Sequence, residues 1–321
     1  MSIPIIIDTD AGSDDIMAIA YLLSRRDVRI EAITVVHGLA HVAAGARNLR
    51  RLLCVAGQES VPVFEGEEEA LRGSREFPPQ WRDLTDTLPG VRLPEANAPL
   101  PEIGAVEYLR ERFQRSSGPV RILALGPLTN LALALRGVSN PHAVIDEIVT
   151  MGGAIDVPGN LRDGNSGPGL NETAEWNIYC DPDAAAEVFD CDVPQLLVPL
   201  DATNQVPIDT PFVAQFQSLD LTPIGQVIAD LLRTFSPVIA TGRFYAWDPL
   251  AAVALLDPTV VQTRSVRLKV VREGHDVGRT VPAVWDDKSP VKVALQADAA
   301  RFNAAFTAVF RHNAGSKLGI V

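Results

Sequence analysis

The sequence predicts a single α/β domain with a Rossmann-like fold, in which a mainly parallel sheet carries helices on both faces. Short apolar runs alternate with stretches of helical periodicity along most of the 321 residues, and this alternation is typical of βαβ units. A hydrophobic fraction of 47% is enough to supply one large core. Because no repeat or linker divides the chain, we expect one domain over residues 1–321.

The elements can be placed in chain order. Five apolar runs predict strands at residues 5–7, 30–36, 120–125, 147–151 and 195–198. Four periodic stretches predict helices at residues 14–23, 42–55, 128–135 and 298–310. Ligands of such sheets bind beyond the carboxyl ends of the strands, so the loops that follow the strands are expected to carry the chemistry.

Two of the connecting segments are long. Residues 65–100 are rich in Pro, Glu and Arg and show no clear periodicity. Long irregular segments in compact domains are usually functional, so we predict a mobile active-site loop there. The second segment, residues 152–175, is rich in Gly and Asn.

Charge and cysteine content limit the partners and the compartment. The net charge of −12 argues against binding to a nucleic-acid backbone. Cys54, Cys180 and Cys191 show no CxxC spacing and are expected to be free thiols in a reducing compartment. No secretory signal is recognisable, and no uncharged apolar run reaches the roughly 18 residues of a membrane span. We therefore expect a cytoplasmic protein without a membrane partner.

A dense group of carboxylates follows the first predicted strand. Asp8, Asp10, Asp14 and Asp15 lie within eight residues, and such crowding is costly unless a cation offsets the charge. Ligands that offer only oxygen favour Ca²⁺ or Mg²⁺ over zinc. Acidic capping of the next helix would account for Asp14 and Asp15, but it leaves Asp8 and Asp10 unexplained.

Four motifs, in order along the chain, resemble those of the nucleoside hydrolase family. They are Asp-Thr-Asp-Ala-Gly-Ser-Asp-Asp at 8–15, Leu-Gly-Pro-Leu-Thr-Asn at 125–130, Met-Gly-Gly at 151–153 leading to Thr-Ala-Glu-Trp-Asn at 173–177, and Trp-Asp-Pro-Leu-Ala at 247–251. The resemblance spans nearly the whole chain. It implies calcium-dependent hydrolysis of the N-glycosidic bond of a ribonucleoside, which gives free base and ribose. We also expect a homo-oligomer, either a dimer or a tetramer.

The resemblance assigns roles at matching positions. Asp10 is similar to the general base that activates water. The implied calcium ligands are the side chains of Asp10, Asp15 and Asp248 and the backbone carbonyl of Leu125. Substrate binding is implied for Asp14, Asn160, Glu175, Asn177 and Met151, and Asp8 is expected to support the others. A ribosyl bond breaks through an oxocarbenium-like transition state, which surrounding negative charge stabilises.

Three of the four tryptophans fall at positions that face the predicted site. Trp81 lies in the segment 65–100, Trp176 lies in the Glu-Trp-Asn motif, and Trp247 precedes Asp248. Each of them could instead be a core residue. Many family members carry His before that late Asp, whereas the purine-specific branch resembles this chain in carrying Trp. The resemblance thus implies a purine base sandwiched between indoles, where stacking favours the protonated purine as a leaving group.

One departure from the family pattern concerns Leu39. A polar residue usually follows the glycine that stands here as Gly38, so Leu39 removes a polar contact near the ribose or the base. His37 or His41 could supply that contact. The loss also keeps open the alternative of a non-catalytic nucleoside-binding protein with the same fold.

Further alternatives concern the ribose ligand and the reaction. Asn165 or Asn171 could take the role given to Asn160. A broad-specificity hydrolase of inosine and uridine is the main alternative to purine preference. A more distant alternative is a haloacid-dehalogenase-like phosphohydrolase that uses Asp-Thr-Asp at 8–10 to form an aspartyl-phosphate. That enzyme needs a later Lys and a separate acidic pair, and no lysine of this chain precedes Asp248.

Overall fold

The structure is a computed structural model that describes residues 4–96, 99–115, 118–163, 170–285 and 291–312. Within these ranges nine strands form one sheet in the order β3-β2-β1-β4-β5-β6-β9-β7-β8. The strands are β1 Ile5–Thr9, β2 Ile30–Val35, β3 Val63–Glu65, β4 Val120–Ala124, β5 Ile145–Met151, β6 Gln195–Val198, β7 Val261–Val270, β8 Thr280–Val284 and β9 Val291–Ala297. Strands β1 to β6 and β9 pair in parallel, whereas β7 runs antiparallel to β8 and β9.

Helices fill the connections between the strands. They are α1 Ser13–Leu23, α2 Val42–Ala56, α3 Pro79–Thr87, α4 Ala105–Gln114, α5 Thr129–Leu135, α6 Trp176–Cys180, α7 Pro182–Phe189, α8 Leu200–Thr203, α9 Thr210–Gln217, α10 Pro223–Thr234, α11 Ser236–Ile239, α12 Trp247–Leu256 and α13 Ala299–Ala308. In the described part of the chain, no helix combines the length and the apolar character that crossing a membrane requires.

The central strands are apolar on both faces because both faces are covered. Ile5 and Ile7 of β1 pack into one hydrophobic core, which also contains residues of α1, α2, α10 and α12. Ile6 points into a second core, which contains residues of α4, α5 and α7. Side chains alternate between the faces of a strand, so a strand covered twice becomes a continuous apolar run. The predicted fold class, a mainly parallel sheet with helices on both faces, is confirmed.

The strand order fixes where a ligand can bind. From β1 the chain moves outward through β2 and β3, then returns to pair β4 against the other side of β1. The connections after β1 and β4 therefore diverge and leave a crevice at the carboxyl ends of these two strands. Asp10 follows β1 and Leu125 follows β4, so the two predicted site segments meet there.

The prediction that residues 65–100 are irregular throughout is wrong at Pro79–Thr87, which form α3. Proline at the start suits a first helical turn, but this nine-residue helix has only two apolar side chains after that proline, Trp81 and Leu84, and it is shorter than the window of about 11 residues over which helical periodicity is read. Strands β7 to β9 also escaped prediction. Strand β7 is not a continuous apolar run: Arg267 and Lys269 alternate with Val266, Leu268 and Val270, a half-buried pattern that a search for apolar runs passes over.

Candidate active site

A cavity of about 390 Å³ lies at the carboxyl ends of the central strands. The structure brings all twelve predicted site residues to its wall: Asp10, Asp14, Asp15, Trp81, Leu125, Met151, Asn160, Glu175, Trp176, Asn177, Trp247 and Asp248. They come from seven separate places in the chain, at residues 10–15, 81, 125, 151, 160, 175–177 and 247–248, so the parallel sheet and its loops assemble them. Their individual roles follow from what each side chain contacts.

A tight turn between β1 and α1 presents the first group of acids. Ala11 has a positive φ of 57°, and its N–H donates to the Thr9 hydroxyl oxygen at 3.0 Å. The Thr9 hydroxyl in turn donates to one carboxylate oxygen of Asp15, and the Gly12 N–H donates to the other at 3.0 Å. Asp14 and Asp15 then occupy the first turn of α1, where the helix dipole stabilises negative charge.

Asp8 does not line the cavity, and its side chain instead connects neighbouring elements of the fold. Its Oδ1 accepts hydrogen bonds from the Thr34 hydroxyl at 2.6 Å and from the Asn130 amide at 2.9 Å. Burial raises the pKa of Asp8 to about 7. These contacts link β1 to β2 and to α5, which agrees with the supporting role expected for Asp8.

Asp10 stands at the bottom of the cavity with a defined orientation. Its Oδ2 accepts the backbone N–H of Leu39 at 2.8 Å. Backbone at Gly38 and Gly126 lies so close that a Cβ on either would meet Asp10 atoms, at 2.1 Å and 2.9 Å respectively. Burial, together with the charge of Asp15, raises the pKa of Asp10 well above its usual range. The Leu39 N–H thus fixes one carboxylate oxygen of Asp10, and the side chain also contacts Asp15.

The contact expected from His37 or His41 comes from neither side chain, because neither lines the cavity. His37 is buried, and burial lowers its pKa to about 4. Its Nε2 lies 2.8 Å from the Thr129 hydroxyl, whose own proton goes to Asp181 at 2.7 Å. His41 pairs with Asp86 at 2.6 Å. The polar contact that the Leu39 side chain lacks is thus supplied by neither histidine, and the backbone N–H of Leu39 contacts Asp10 instead.

Three carboxylates converge closely enough to hold a cation. Oxygen atoms of Asp14, Asp15 and Asp248 all lie within 4.8 Å of one another. Among the described residues, Oδ1 of Asp248 is buried and has no hydrogen-bond partner. Burial and mutual repulsion raise the pKa of Asp248 well above its usual range and that of Asp14 to about 8. Such a set of crowded, desolvated oxygens suits a hard divalent cation, so these residues fit a calcium ion.

The trio that converges most closely differs from the predicted ligand set. Asp14, expected to bind ribose, belongs to the trio, whereas Asp10, expected to be a ligand, lies beside it and contacts Asp15. The Leu125 carbonyl accepts the Asn177 side-chain amide at 2.9 Å, and a carbonyl oxygen has a second lone pair with which it can bind another partner.

Glu175 and Asn177 form a rigid corner of the cavity. Glu175 caps α6 by accepting the backbone N–H of Asn177 at 2.9 Å, and it also accepts the Gly153 N–H at 2.9 Å. Burial raises the pKa of Glu175. The Asn177 amide bridges the backbone carbonyls of Leu125 at 2.9 Å and Met151 at 3.3 Å, which ties the ends of β4 and β5 together.

The structure distinguishes two of the three asparagines proposed for ribose. Asn160 lines the cavity, and its Oδ1 accepts the Trp176 backbone N–H at 3.1 Å. Asn171 does not line it, because its side chain bonds to the Val277 carbonyl at 2.7 Å and to the Thr173 N–H at 2.9 Å. Asn165 lies outside the described residues. Of the two described asparagines, Asn160 is the one positioned for ligand contact.

All three predicted tryptophans belong to the cavity wall, and they fall into two groups. In the first, Trp176 stacks on Phe77 at 4.9 Å between ring centroids and meets Trp81 edge-on at 5.9 Å. In the second, Trp247 meets Phe244 edge-on at 5.3 Å. Trp81 and Trp247 remain partly exposed, so their rings can contact a flat ligand.

Sequence reasoning missed twelve of the described residues that line the cavity, and all of them except Ser13 lie outside the family motifs. These are Ser13, Leu39 as a wall residue, Phe77, Leu84, Thr85, Asp163, Phe235, Pro237, Val238, Thr241, Arg243 and Phe244. Two of them form an ion pair at the mouth, where Nη1 of Arg243 lies 3.0 Å from Oδ1 of Asp163. The sequence did offer one signal for this part of the wall, namely the aromatic residues Phe235 and Phe244 that precede Trp247. Nothing in the sequence indicated that Arg243 lies in the cavity wall.

Comparisons with known proteins agree with this geometry. The family model for inosine-uridine preferring nucleoside hydrolases matches residues 5–304, and the chain belongs to that family. Its members are ribonucleoside N-glycosidases. The haloacid-dehalogenase-like alternative therefore does not hold.

Individual relatives carry names with different base preferences. Uridine nucleosidase 1 of Arabidopsis thaliana is 31% identical over 92% of this chain and 89% of its own length. A pyrimidine-specific ribonucleoside hydrolase, RihA of Salmonella agona, is 34% identical over 88% of each chain. The solved structure of a purine-preferring ribonucleoside hydrolase from Gardnerella vaginalis superposes with a TM-score of 0.82 at 28% identity, covering 95% of this chain and 97% of that one.

Proposed function

We propose that this chain is a calcium-dependent hydrolase of purine ribonucleosides, which it converts to the free base and ribose. The observation that carries the proposal is the composition of one cavity wall. Acids at the bottom adjoin three tryptophans, and the described lining residues include no His, Lys, Tyr or Cys that could protonate a leaving base. A site built in this way suits a base that can take its proton from solvent while it is stacked.

The calcium ion would be held by the carboxylates of Asp10, Asp15 and Asp248 and by the Leu125 carbonyl, with Asp14 next to them. When bound, this ion polarises the attacking water and orients the ribose diol. The unpartnered oxygen of Asp248 and the convergence of Asp15 and Asp248 support this assignment.

Side chains of the protein account for the proton transfer and for the binding of the ribose. Asp10 accepts the proton of the water through the carboxylate oxygen that Leu39 does not hold. The water oxygen bonds to C1′ of the ribose, the C1′–N9 bond breaks, and its electron pair leaves with the base. Asn160 and the corner formed by Glu175 and Asn177 hold the ribose, while the surrounding carboxylates stabilise its positive charge. The base takes up a proton from solvent at N7.

A second candidate function is the hydrolysis of uridine. It is supported by the names of the two relatives that are 31% and 34% identical to this chain. Against it stands the chemistry of the wall. Uracil requires a proton or a hydrogen bond at a ring oxygen or nitrogen to leave, and the indole faces of the wall provide neither; among the described lining residues the one basic side chain, Arg243, lies at the mouth.

The experiment is a nucleoside panel with and without metal. The enzyme is stripped with a chelator, then supplied with Ca²⁺ or with Mg²⁺, and reducing sugar is measured with inosine, guanosine, adenosine, uridine and cytidine. We expect activity to return with Ca²⁺ and purine nucleosides to be cut faster. Full activity in the chelator would contradict the metal assignment, and faster cleavage of uridine would contradict the purine assignment. Release of no ribose at all would indicate a non-catalytic binding protein.

A further inference from the structure

We propose that Arg243 makes this site selective for 6-oxopurine ribonucleosides, the class of inosine and guanosine, over adenosine. The inference rests on the proposed hydrolysis of purine nucleosides and deepens it by naming a residue that reads the base. It begins with the position of Arg243 in the cavity.

The cavity changes in character from its bottom to its mouth. Asp10 and Asp15 are each only 2% exposed, whereas the side chains of Arg243 and Asp163 are 64% and 36% exposed. Ribose must lie against the acids at the bottom, because that is where its bond is broken. The base then extends outward to the level of the partly exposed rings of Trp81 and Trp247.

Arg243 lies in the part of the cavity wall next to Trp247. It immediately precedes Phe244, whose ring contacts Trp247 at 5.3 Å, and both residues line the same cavity. A long side chain anchored there can reach the edge of a base whose face rests on Trp247. The ion pair with Asp163 occupies Nη1 of the guanidinium. Since a guanidinium carries five N–H donors, others remain for a ligand, and Asp163 keeps the group at the mouth.

The chemistry of the guanidinium determines which base it accepts. Among the described residues that line the cavity, Arg243 is the sole basic side chain. An arginine donates hydrogen bonds and accepts none. Hypoxanthine and guanine present the acceptor O6 on the edge where adenine presents the donor N6 amino group. A donor at the mouth therefore favours the first two bases and leaves the adenine amino group without a partner.

The same contact acts on the leaving group. As the C1′–N9 bond breaks, its electron pair passes into the base and raises the electron density on O6. A hydrogen bond from the charged guanidinium to O6 becomes stronger at that point, while Arg243 keeps its proton and N7 takes up a proton from solvent. Arg243 is thus a specificity-determining residue whose effect depends on the oxygen at C6.

The experiment compares substrates that differ at C6. Specificity constants are measured with the calcium-loaded enzyme for inosine, guanosine, adenosine and purine riboside, which carries only hydrogen at C6. The variants are Arg243→Met, which lacks donors, Arg243→Lys, which keeps one charged donor group, and Asp163→Asn, which keeps the arginine. Arg136→Met is the matched control, because Arg136 forms a comparable exposed ion pair with Glu187 at 2.7 Å and does not line the cavity.

We expect wild type to prefer inosine and guanosine to adenosine. In Arg243→Met, the ratio of inosine to purine riboside should fall by about tenfold, as expected for loss of one partly exposed charged hydrogen bond. Arg243→Lys should restore part of the ratio, Asp163→Asn should lower it in part because the guanidinium loses its charged partner, and Arg136→Met should preserve it. An equal fall for all substrates would overturn the proposal, since the ion pair would then only close the mouth. An unchanged ratio, or a wild-type preference for adenosine, would also overturn it.

Failure of the proposed function is recognised separately with 4-nitrophenyl riboside. Its leaving group departs without assistance, so it reports ribosyl hydrolysis whatever the wall contributes. Cleavage of this compound and of uridine without cleavage of purine nucleosides would refute purine hydrolysis and the Arg243 proposal with it. Cleavage of purine nucleosides without discrimination at C6 would refute the Arg243 proposal alone.

Discussion

Replacing Gly38 with alanine should displace the carboxylate that we propose as the general base. A Cβ at position 38 would lie 2.1 Å from Oδ2, 2.5 Å from Cβ and 2.7 Å from Cγ of Asp10. Non-bonded carbon contacts are comfortable at about 3.5 Å, so Asp10 has to move by roughly 1 Å. That movement also breaks the 2.8 Å hydrogen bond from Leu39. A misplacement of this size costs about a hundredfold in turnover.

The assay separates displacement of the base from a general loss of folding. Turnover of inosine and thermal unfolding are measured for Gly38→Ala and for Gly57→Ala. Gly57 has a φ of 65°, and a Cβ there meets no atom within 4 Å. This control therefore pays only for backbone strain, about 1 kcal/mol, and should keep its turnover. Normal turnover in a folded Gly38→Ala enzyme would refute the reasoning, as would a loss that merely follows the unfolded fraction.

The remaining predictions concern the proposed general base Asp10, the calcium ion, the stacking residue Trp247 and the segment of residues 65–100. Asp10→Ala should reduce kcat by several powers of ten while nucleoside still binds, because the water loses its proton acceptor; near-normal kcat in stopped assays would exclude that role. A saturating excess of Ca²⁺ should raise the Tm of the apo protein by roughly 5 °C, and Asp248→Asn should lose most of this shift; a shift equal to that of wild type would place the ion elsewhere. Trp247→Ala should lower kcat/KM for inosine about ten- to a hundredfold and that for uridine less; equal losses would refute stacking as the source of preference. Residues 65–100 should become protected from hydrogen exchange when a ribose analogue binds, and unchanged protection would argue against a lid.

The structure gives that lid prediction a more specific form. The first residues of the segment are hydrogen-bonded to the rest of the domain, since the Glu67 N–H donates to Asn130 at 2.9 Å and the Leu71 N–H donates to Asp181 at 2.8 Å. Such bonds slow exchange even without ligand. The gain in protection should therefore be concentrated around α3, which carries Trp81.

The sequence predicts the centre of the fold and the acids of the site for the same physical reason. Strands buried on both faces are uninterrupted apolar runs, so β1 and β4 are recognisable, and the residues after them stand at the carboxyl edge. The Asp10 and Asp15 carboxylates are close in sequence as well as in space. The antiparallel strand β7 was missed because charged side chains interrupt its apolar positions, and α3 was missed because it is short and has only Trp81 and Leu84 as apolar side chains after its first proline.

The cavity mouth could not be predicted because tertiary structure alone assembles it. Asp163 and Arg243 are 80 residues apart and meet because the loop after β5 and the approach to α12 pack over the same crevice. Neither residue belongs to a motif, and an isolated Arg or Asp in a polar loop resembles a solvated surface residue. Leu39 illustrates a related limit. The sequence shows that a polar side chain is missing at this position, but it does not show that the backbone N–H of Leu39 donates a hydrogen bond to Asp10.

The division of roles proposed for this site would accommodate the different base preferences in the names of the relatives. Positive charge develops on the ribose whichever base departs, so the acids at the bottom serve purine and pyrimidine hydrolysis equally. The base enters the energetics only through the wall and the mouth, where it is stacked, protonated or hydrogen-bonded as it leaves. In this chain Leu39 spans both regions, since its N–H holds Asp10 and its side chain packs against the cluster that contains Phe77 and Trp176. A polar residue at position 39 would preserve the first contact and weaken the apolar wall, so in the proposed mechanism Leu39 would favour a stacked base over one that needs a hydrogen bond.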